Sequence, residues 1–494
     1  MENPDGSVSF GALNTVVLIL YLVSVVGVGF FFVGRQKTAE DFFLAGRNMP
    51  WLAVAVSVFA SITSAVSYMG VPGLAFRENI SFLAGICMMP LAAPVIIRVF
   101  LPFYQRLRVT TSYDYIHQRF GAGARVLAAG LFFLTRLGWL GTVIYAPALA
   151  LSVVTGMDIR LAILIMGGLG TLYTVLGGLA AVIWTDVIQF VILSGGALWV
   201  CLQLIADVPG GIAEILRVGQ ESGRINLANW RPSWVEMTLG GVVVGYFLQF
   251  LHDYGVDQVT VQRLMATRTP RDMAKATFLN SLVTVVFFVL LALIGLGLFA
   301  YSESHPRAFP PNLEGDKIFA WYAVHALPPG VSGLVIAGIF AAAMSSLDSG
   351  INSLATVVVN DFLRPLGARN MTDTAQVRLA RVLTLVFGVF ATGAGFIASR
   401  IGALIEASQT FIGLFSGPVL ALFLLGIFSQ RAVFAGWLCG VAAAIPATLY
   451  LKSSGAVHFI YYFPISFSVA FSVGYLASRA FPAREVGKGL TIKG

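Results

Sequence analysis

The stretch A-A-A-M-S-S-L-D-S-G-I-N, residues 341–352, places several hydroxyl groups and one carboxylate inside a long apolar segment. Ser345, Ser346, Asp348 and Ser349 fall within about two turns of a helix. A carboxylate at the centre of a membrane helix costs roughly 2.5–3.5 kcal/mol on insertion scales, so function is its default explanation. A packing face of small residues explains the serines but not Asp348. The stretch therefore indicates a membrane helix that offers oxygen atoms to a cation.

The composition of the whole chain is typical of a polytopic membrane protein. Of its 494 residues, 57% are hydrophobic and 11% are charged, against roughly 25% charged in an average soluble domain. The net charge of +8 is spread over loops between apolar runs. This distribution indicates that the basic residues set the orientation of the helices in the membrane, rather than bind nucleic acid. Cys87, Cys201 and Cys439 lie in separate apolar runs without metal-ligand spacing, so the sequence supports no disulfide framework.

Thirteen apolar runs are long enough to cross a hydrocarbon layer of about 30 Å. The predicted transmembrane helices cover residues 10–33, 51–76, 80–105, 123–154, 159–176, 180–205, 238–264, 274–301, 331–361, 377–399, 402–428, 432–451 and 457–478. We therefore predict an all-α polytopic membrane protein with a single transporter domain over residues 1–494.

Basic residues concentrate in alternate loops, notably around residues 106–125, 263–275 and 364–381. The positive-inside rule places these loops in the cytoplasm. We expect a multi-pass protein of the cell membrane, inner or plasma, with its N-terminus outside and its C-terminus cytoplasmic.

Ten of the predicted helices divide into a first repeat, residues 51–205, and a second repeat, residues 238–428. The helix at 10–33 precedes them, and two helices at 432–478 follow. Because each repeat has five helices, the two cross the membrane in opposite directions, which permits an inverted repeat.

The first helix of each repeat contains an interruption. In transporters built from inverted repeats, such breaks lie near the midplane and free backbone groups for substrate and ions. Residues 57–69 read S-V-F-A-S-I-T-S-A-V-S-Y-M, and residues 250–263 read F-L-H-D-Y-G-V-D-Q-V-T-V-Q-R. Both runs predict a broken helix.

Several segments together resemble the sodium/solute symporter family, which shares the ten-helix inverted-repeat fold of the bacterial leucine transporter. They are V-I-W-T-D-V-I-Q (182–189), V-Q-R (261–263), residues 345–352 and S-G-P-V-L-A-L-F-L-L-G-I-F (416–428). The run G-T-V-I-Y-A-P-A-L-A-L-S-V-V-T-G-M-D (141–158) is most similar to the branch with iodide, multivitamin, monocarboxylate and bacterial sialic acid symporters. The resemblance spans nearly the whole chain.

The resemblance implies a first sodium site. Its ligands would be the carbonyls of Ala60, Thr63 and Ala342 and the hydroxyls of Ser345 and Ser346. A hard cation prefers oxygen ligands, which agrees with this set. Relatives often have an apolar residue at Thr63, so its hydroxyl is either an extra ligand or bonds back to its own helix.

A second sodium site, found in some relatives, is implied at Asp186, Ser345, Asp348 and Ser349. Asp348 departs from the family pattern, because relatives carry a small hydroxyl residue there. If the two carboxylates meet, they cannot both stay ionised without a cation, and a sodium ion or a shared proton would lie between them. Alternatively, Asp348 has its own basic or hydroxyl partner and Asp186 caps a helix.

The resemblance also implies substrate-binding positions on several helices. They are Ser64, Ser67, Phe82, Trp139, Tyr254 and Gln409. Tyr254 matches an aromatic residue that covers the substrate from the inside in relatives. The alternative interpretation is that Tyr254 lies at the membrane interface.

Trp139 stands where the sialic acid symporter has an arginine that pairs with a carboxylate, and the Asn and Lys of sugar symporters have no counterparts. Arg136 lies one turn earlier on the same helix face. It either reaches an anionic substrate or pairs with Asp253 or Glu406. We predict a small carboxylate or sialic-acid-like anion as substrate, with a neutral sugar as the alternative.

The predicted function is therefore sodium-coupled symport by alternating access, by a functional monomer in the lipid bilayer and with one or two sodium ions. A channel would need a continuous polar stripe, whereas the polar residues here cluster at the helix breaks. An enzyme would need a nucleophile with a base or a metal cluster, and the five histidines are scattered.

Overall fold

The computed structural model describes residues 10–32, 36–107, 109–227, 229–311, 313, 315–363, 371–399, 404–482 and 490–492. Within these ranges every regular element is a helix. The α-helices are α1 (Ala12–Phe32), α2 (Ala39–Leu44), α3 (Trp51–Ile62), α4 (Ala65–Arg77), α5 (Phe82–Ile86), α6 (Met89–Val95), α7 (Leu101–Leu107), α8 (Tyr113–Phe120), α9 (Ala122–Thr155), α10 (Ile159–Asp207), α11 (Gly211–Glu221), α12 (Leu239–Gly255), α13 (Gln258–Met265), α14 (Pro270–Ser304), α15 (Gly315–His325), α16 (Val331–Val357), α17 (Asp373–Ala398), α18 (Leu404–Phe428), α19 (Phe434–Ser453) and α20 (Tyr462–Ser478). The predicted all-α class is confirmed.

Among the described residues, ten helices are long and apolar enough to cross a membrane, and the broken pair α3–α4 makes eleven. The two remaining predicted spans also lie on helices. Residues 159–176 form the first part of α10, which kinks at Gly178, and residues 238–264 fall on α12 and α13. Gly178 has φ 56° and ψ −175°, a conformation that favours glycine. The count of thirteen spans stays a prediction.

Both predicted helix breaks are present. α3 ends at Ile62 and α4 begins at Ala65, with a bend of 62° between them. At the second break, α12 ends at Gly255 and the Asp257 side chain caps α13 by accepting from the Val259 N–H at 2.9 Å. A helix end leaves backbone carbonyls without partners inside the helix, so each break supplies free oxygens within the protein.

α16 is the most buried long helix, with 94% of its apolar window inside the protein. Small residues allow other helices to approach it closely, because a Cβ atom at Gly338 would lie 3.0 Å from the Tyr68 hydroxyl oxygen. By contrast, only 17% of the α1 window is buried, so most of that helix faces outward. The polar stretch 341–352 is thus held at the centre of the bundle and in contact with α3.

Candidate functional site

Three of the five predicted ligand oxygens of the first sodium site lie together where α3 ends against α16. The Ser345 hydroxyl oxygen lies 2.8 Å from the carbonyl oxygen of Ala60 and 3.1 Å from that of Ala342. The Ser346 hydroxyl donates to the Ser61 carbonyl at 3.1 Å, a partner that the sequence did not indicate. All of these residues are buried. These oxygens are hydrogen-bonded to one another, and uncharged hydroxyl and carbonyl oxygens are also the type of ligand that a hard cation prefers.

Thr63 follows these residues in the break itself and is buried. Its N–H bonds to the Phe59 carbonyl at 2.9 Å, and the residue lines a cavity beside the helix breaks. In the part of the chain that the structure describes, no bond from its hydroxyl back to α3 is found. The role of the Thr63 hydroxyl as an extra ligand stays a prediction.

The second predicted site contains Arg263, which the sequence analysis placed in the V-Q-R motif and at the start of a basic loop, and which the structure buries on α13. Asp186 Oδ2 accepts from the Ser57 hydroxyl at 2.5 Å and from Arg263 Nη2 at 3.3 Å. Arg263 Nε donates to Ser57 at 2.8 Å, and its Nη2 also donates to the Ser349 hydroxyl. Asp186 therefore does not cap a helix, since it lies in the interior of α10 and its carboxylate contacts Arg263.

Asp348 joins the same network through its neighbour. The Ser349 hydroxyl lies 3.1 Å from Asp348 Oδ1, so a continuous path of polar contacts runs from Asp186 through Arg263 and Ser349 to Asp348. Among the described residues, Asp186 Oδ1 and Gln189 Oε1 are buried and have no hydrogen-bond partner. Unpaired buried oxygens of this kind fit a site that accepts a cation.

The described contacts give two reasons why this network was missed from the sequence. Arg263 and Asp186 are 77 residues apart, so no local pattern links them. Gln189 lies one turn after Asp186 on α10 and looked like an ordinary member of the V-I-W-T-D-V-I-Q motif. The one available signal was the placement of a basic residue at the end of a broken helix, where burial requires a counter-charge.

A cavity of 140 Å³ lies next to both helix breaks. Its lining includes six of the seven predicted substrate residues, namely Ser64, Ser67, Arg136, Trp139, Tyr254 and Gln409. Phe82 is buried on α5 and does not line this cavity, although it was predicted as a substrate contact. Its side chain packs in the apolar core, as an aromatic residue of a membrane helix does by default.

Tyr254 is only 1% exposed and lines the cavity, so it is not a tyrosine of the membrane interface. Its ring lies 6.0 Å from that of Phe250, in an edge-to-face arrangement on α12. This position agrees with a Tyr254 side chain that covers the substrate in the cavity, and that role stays a prediction.

Arg136 pairs with Asp257, which neither predicted alternative included. Its Nη2 lies 2.5 Å from Asp257 Oδ1, and its guanidinium lies 4.8 Å from the centre of the Trp139 ring. Asp253 instead contacts His252 Nδ1 at 2.9 Å, and the side chain of Glu406 lies outside the described residues. Arg136 also lines the cavity, and its buried Nε has no acceptor among the residues that the structure describes. The ion pair with Asp257 therefore engages Nη2 and does not involve the Nε N–H.

Comparisons with known proteins agree with this geometry. The family model described as the sodium:solute symporter family matches residues 42–443. The sodium/sialic acid symporter NanT of Aliivibrio fischeri is 33% identical over 96% of this chain and 94% of its own length. The human sodium/iodide cotransporter is 33% identical over 91% of this chain and 71% of its own length.

A solved structure is similar over almost the entire chain. It shows a Na⁺-coupled sialic acid symporter in a substrate-bound outward-open state, with a TM-score of 0.90 and 30% identity. The match covers 97% of this chain and 100% of the solved chain. Together with the broken helices and the oxygen cluster between α3 and α16, these matches show that the chain belongs to the sodium:solute symporter family.

Proposed function

We propose that this sodium-coupled symporter carries a small organic carboxylate, such as a sialic-acid-like anion, by alternating access. One observation carries the proposal: the break between α3 and α4 borders both the hydroxyl and carbonyl cluster and the cavity. The Ala60 and Ser61 carbonyls accept from Ser345 and Ser346, while Thr63 and Ser64 line the cavity. A cation that orders this break therefore also orders one wall of the cavity.

The carboxylate preference is supported by Arg136, a basic side chain that lines the cavity. The names of two relatives point the same way, because sialic acid and iodide are anions. The residues proposed to contact the solute are Ser64, Ser67, Arg136, Trp139, Tyr254 and Gln409. A neutral sugar is the second candidate.

We extend the proposal to the arrangement in the membrane. Thirteen helices with an inverted repeat would place the N-terminus outside and the C-terminus in the cytoplasm, and the unit would work as a monomer.

The first sodium ion would bind at Ala60, Thr63, Ala342, Ser345 and Ser346. A second cation at Asp186, Ser345, Asp348 and Ser349 is supported by the unpaired Oδ1 of Asp186.

Uptake into proteoliposomes tests the coupling ion. We expect a sodium gradient to drive uptake of a labelled carboxylate, and a potassium gradient not to do so. Replacing Ser345 and Ser346 together by Ala should abolish sodium-stimulated uptake, because both hydroxyls of the cluster are lost. Ser353→Ala is a matched control on α16, since that hydroxyl bonds to the Gly350 carbonyl of its own helix at 2.9 Å.

Three results would contradict the proposal. Undiminished sodium dependence in the double variant would remove the first site from the mechanism. Binding of hexoses in sodium buffer, with no carboxylate-bearing compound bound, would replace the carboxylate by the sugar candidate. Conductance that does not saturate with solute would instead indicate a channel.

A further inference from the structure

A short segment, residues 490–492, lies on the face formed by α8 and the last turn of α18. Leu490 is buried and belongs to the main apolar core. Its carbonyl accepts from the Tyr115 hydroxyl of α8 at 3.0 Å. The Ile492 N–H donates to the Ile427 carbonyl of α18, also at 3.0 Å. The segment is therefore held by apolar burial and by one hydrogen bond to each of the two helices.

The contact of Ile492 completes the end of α18. A helix leaves its last four carbonyls without partners inside the helix. Near the end of α18, the Gly426 carbonyl accepts from Arg119 Nε of α8 at 3.3 Å. The next carbonyl, that of Ile427, accepts from Ile492. Residues 490–492 and α8 thus hold the last turn of α18 together.

Both α8 and α18 are connected to the functional site. Ser112, just before α8, donates its N–H to Gln258 Oε1 at 2.8 Å, at the start of α13. Thr111 donates its hydroxyl to Asp361 Oδ1 at 2.9 Å, just beyond α16. α18 in turn lines the cavity through Gln409. A segment that ties α8 to α18 therefore resists any movement that separates the second broken helix from the cavity wall.

We propose that residues 490–492 form a strap that holds the cytoplasmic side of the protein closed, and that leaves α8 and α18 when this side opens. The inference goes beyond the proposed function, but it rests on the proposed topology, in which this face is cytoplasmic. Alternating access requires contacts on that side to separate. Contacts made only in the closed arrangement stabilise it, so removing the strap shifts the population toward the open arrangement.

Cysteine labelling in inside-out membrane vesicles measures this opening. Thr260 on α13 is fully buried, and its hydroxyl has no hydrogen-bond partner among the described residues, so Thr260→Cys breaks no described side-chain contact. The native cysteines Cys87, Cys201 and Cys439 are replaced by Ala. A membrane-impermeant maleimide is then added in potassium buffer without sodium. Because a buried thiol reacts only during transient opening, the labelling rate follows the population of the open arrangement.

Three variants remove the strap contacts in different ways. Tyr115→Phe deletes the hydroxyl that binds Leu490, Ile492→Pro deletes the N–H that binds α18, and a chain that ends at Gly489 lacks the strap. We expect each substitution to make labelling roughly fivefold faster, since each removes one neutral hydrogen bond. The shortened chain should be labelled at least about tenfold faster, because it also loses the burial of Leu490.

A double-variant test and a control separate the strap from general loosening. In the shortened chain, Tyr115→Phe should have no further effect, because the acceptor of its hydroxyl is already gone. The control Tyr461→Phe also removes a hydroxyl that donates to a backbone carbonyl, that of Ser233 at 2.8 Å, but at the start of α20. It should leave the labelling rate unchanged.

The outcomes separate this inference from the proposals on which it depends. Unchanged labelling in Tyr115→Phe and Ile492→Pro would overturn the strap, even if the shortened chain fails to fold. Further acceleration by Tyr115→Phe in the shortened chain, or equal acceleration by Tyr461→Phe, would overturn it as well. Labelling of Thr260→Cys only from the outer side, in right-side-out vesicles, would overturn the proposed topology and with it a cytoplasmic strap. None of these measurements needs a solute, so their failure leaves carboxylate transport untouched.

Discussion

Replacing Arg263 by Gln should destabilise the protein through the buried carboxylate of Asp186. The two side chains are 1% and 0% exposed, and their charged atoms lie 3.3 Å apart. At that distance, with an effective dielectric constant of about 20, the attraction is about 5 kcal/mol. Desolvation of both ions offsets much of this attraction, so the measurable quantity is the loss of stability when one partner is removed. Breaking a buried pair destabilises a protein by about 3–5 kcal/mol.

A double-mutant cycle in sodium-free potassium buffer measures this effect. Unfolding of the detergent-solubilised protein by denaturant, followed by tryptophan fluorescence, is compared for Arg263→Gln, Asp186→Asn and both together. The double variant leaves no unpaired charge, so it should lose less stability than the two single variants summed, by about 2–3 kcal/mol. The parallel cycle on the exposed pair Arg217 and Glu214 should show no measurable coupling.

Additive losses at Arg263 and Asp186 would refute the ion pair as the source of stability. A sodium titration of Arg263→Gln then tests the second cation site separately. If sodium binds at Asp186, it should restore more stability to this variant than to the unmutated protein, because the competing guanidinium is gone. Equal sodium stabilisation of both proteins would indicate that Asp186 holds arginine and not sodium.

Three further predictions concern the second cation site and the helix break. Asp186→Asn should lower the Hill coefficient of sodium activation toward one, and a coefficient already near one in the unmutated protein would remove the second ion. Asp348→Ser, which restores the pattern of relatives, should keep uptake but make sodium affinity less sensitive to pH, and an unchanged pH profile would place Asp348 outside the site. Gly255→Val should destabilise the protein by about 1–3 kcal/mol, because a Cβ at this position would lie 2.9 Å from the Phe100 ring. Phe100→Leu should recover part of that loss in thermal unfolding, and no recovery would locate the strain elsewhere.

Sequence patterns were sufficient to predict those features that depend on residues close together in the chain. Apolar length predicted the membrane class, and helices lie at each of the predicted spans that the structure describes. Small and hydroxyl residues at 57–69, and glycine beside charged residues at 250–263, predicted the two broken helices because these residues weaken a helix in apolar surroundings. The oxygen cluster followed from the serines of α16 and the break in α3. Its Ser61 carbonyl was missed, since a backbone acceptor leaves no mark in the side-chain pattern.

Only the tertiary structure decided which charges meet. Arg136 pairs with Asp257 rather than with Asp253, and Arg263 pairs with Asp186, although in each case other partners were chemically equivalent. Phe82 was excluded from the cavity for the same reason, since an aromatic residue on an apolar helix packs against either core or cavity. The period of a helix fixes which residues share a face, but the rotation of that helix against its neighbours depends on contacts between residues far apart in the chain. The sequence by itself therefore determined the membrane fold and its breaks, and the packing of the helices determined the pairing of the charges within it.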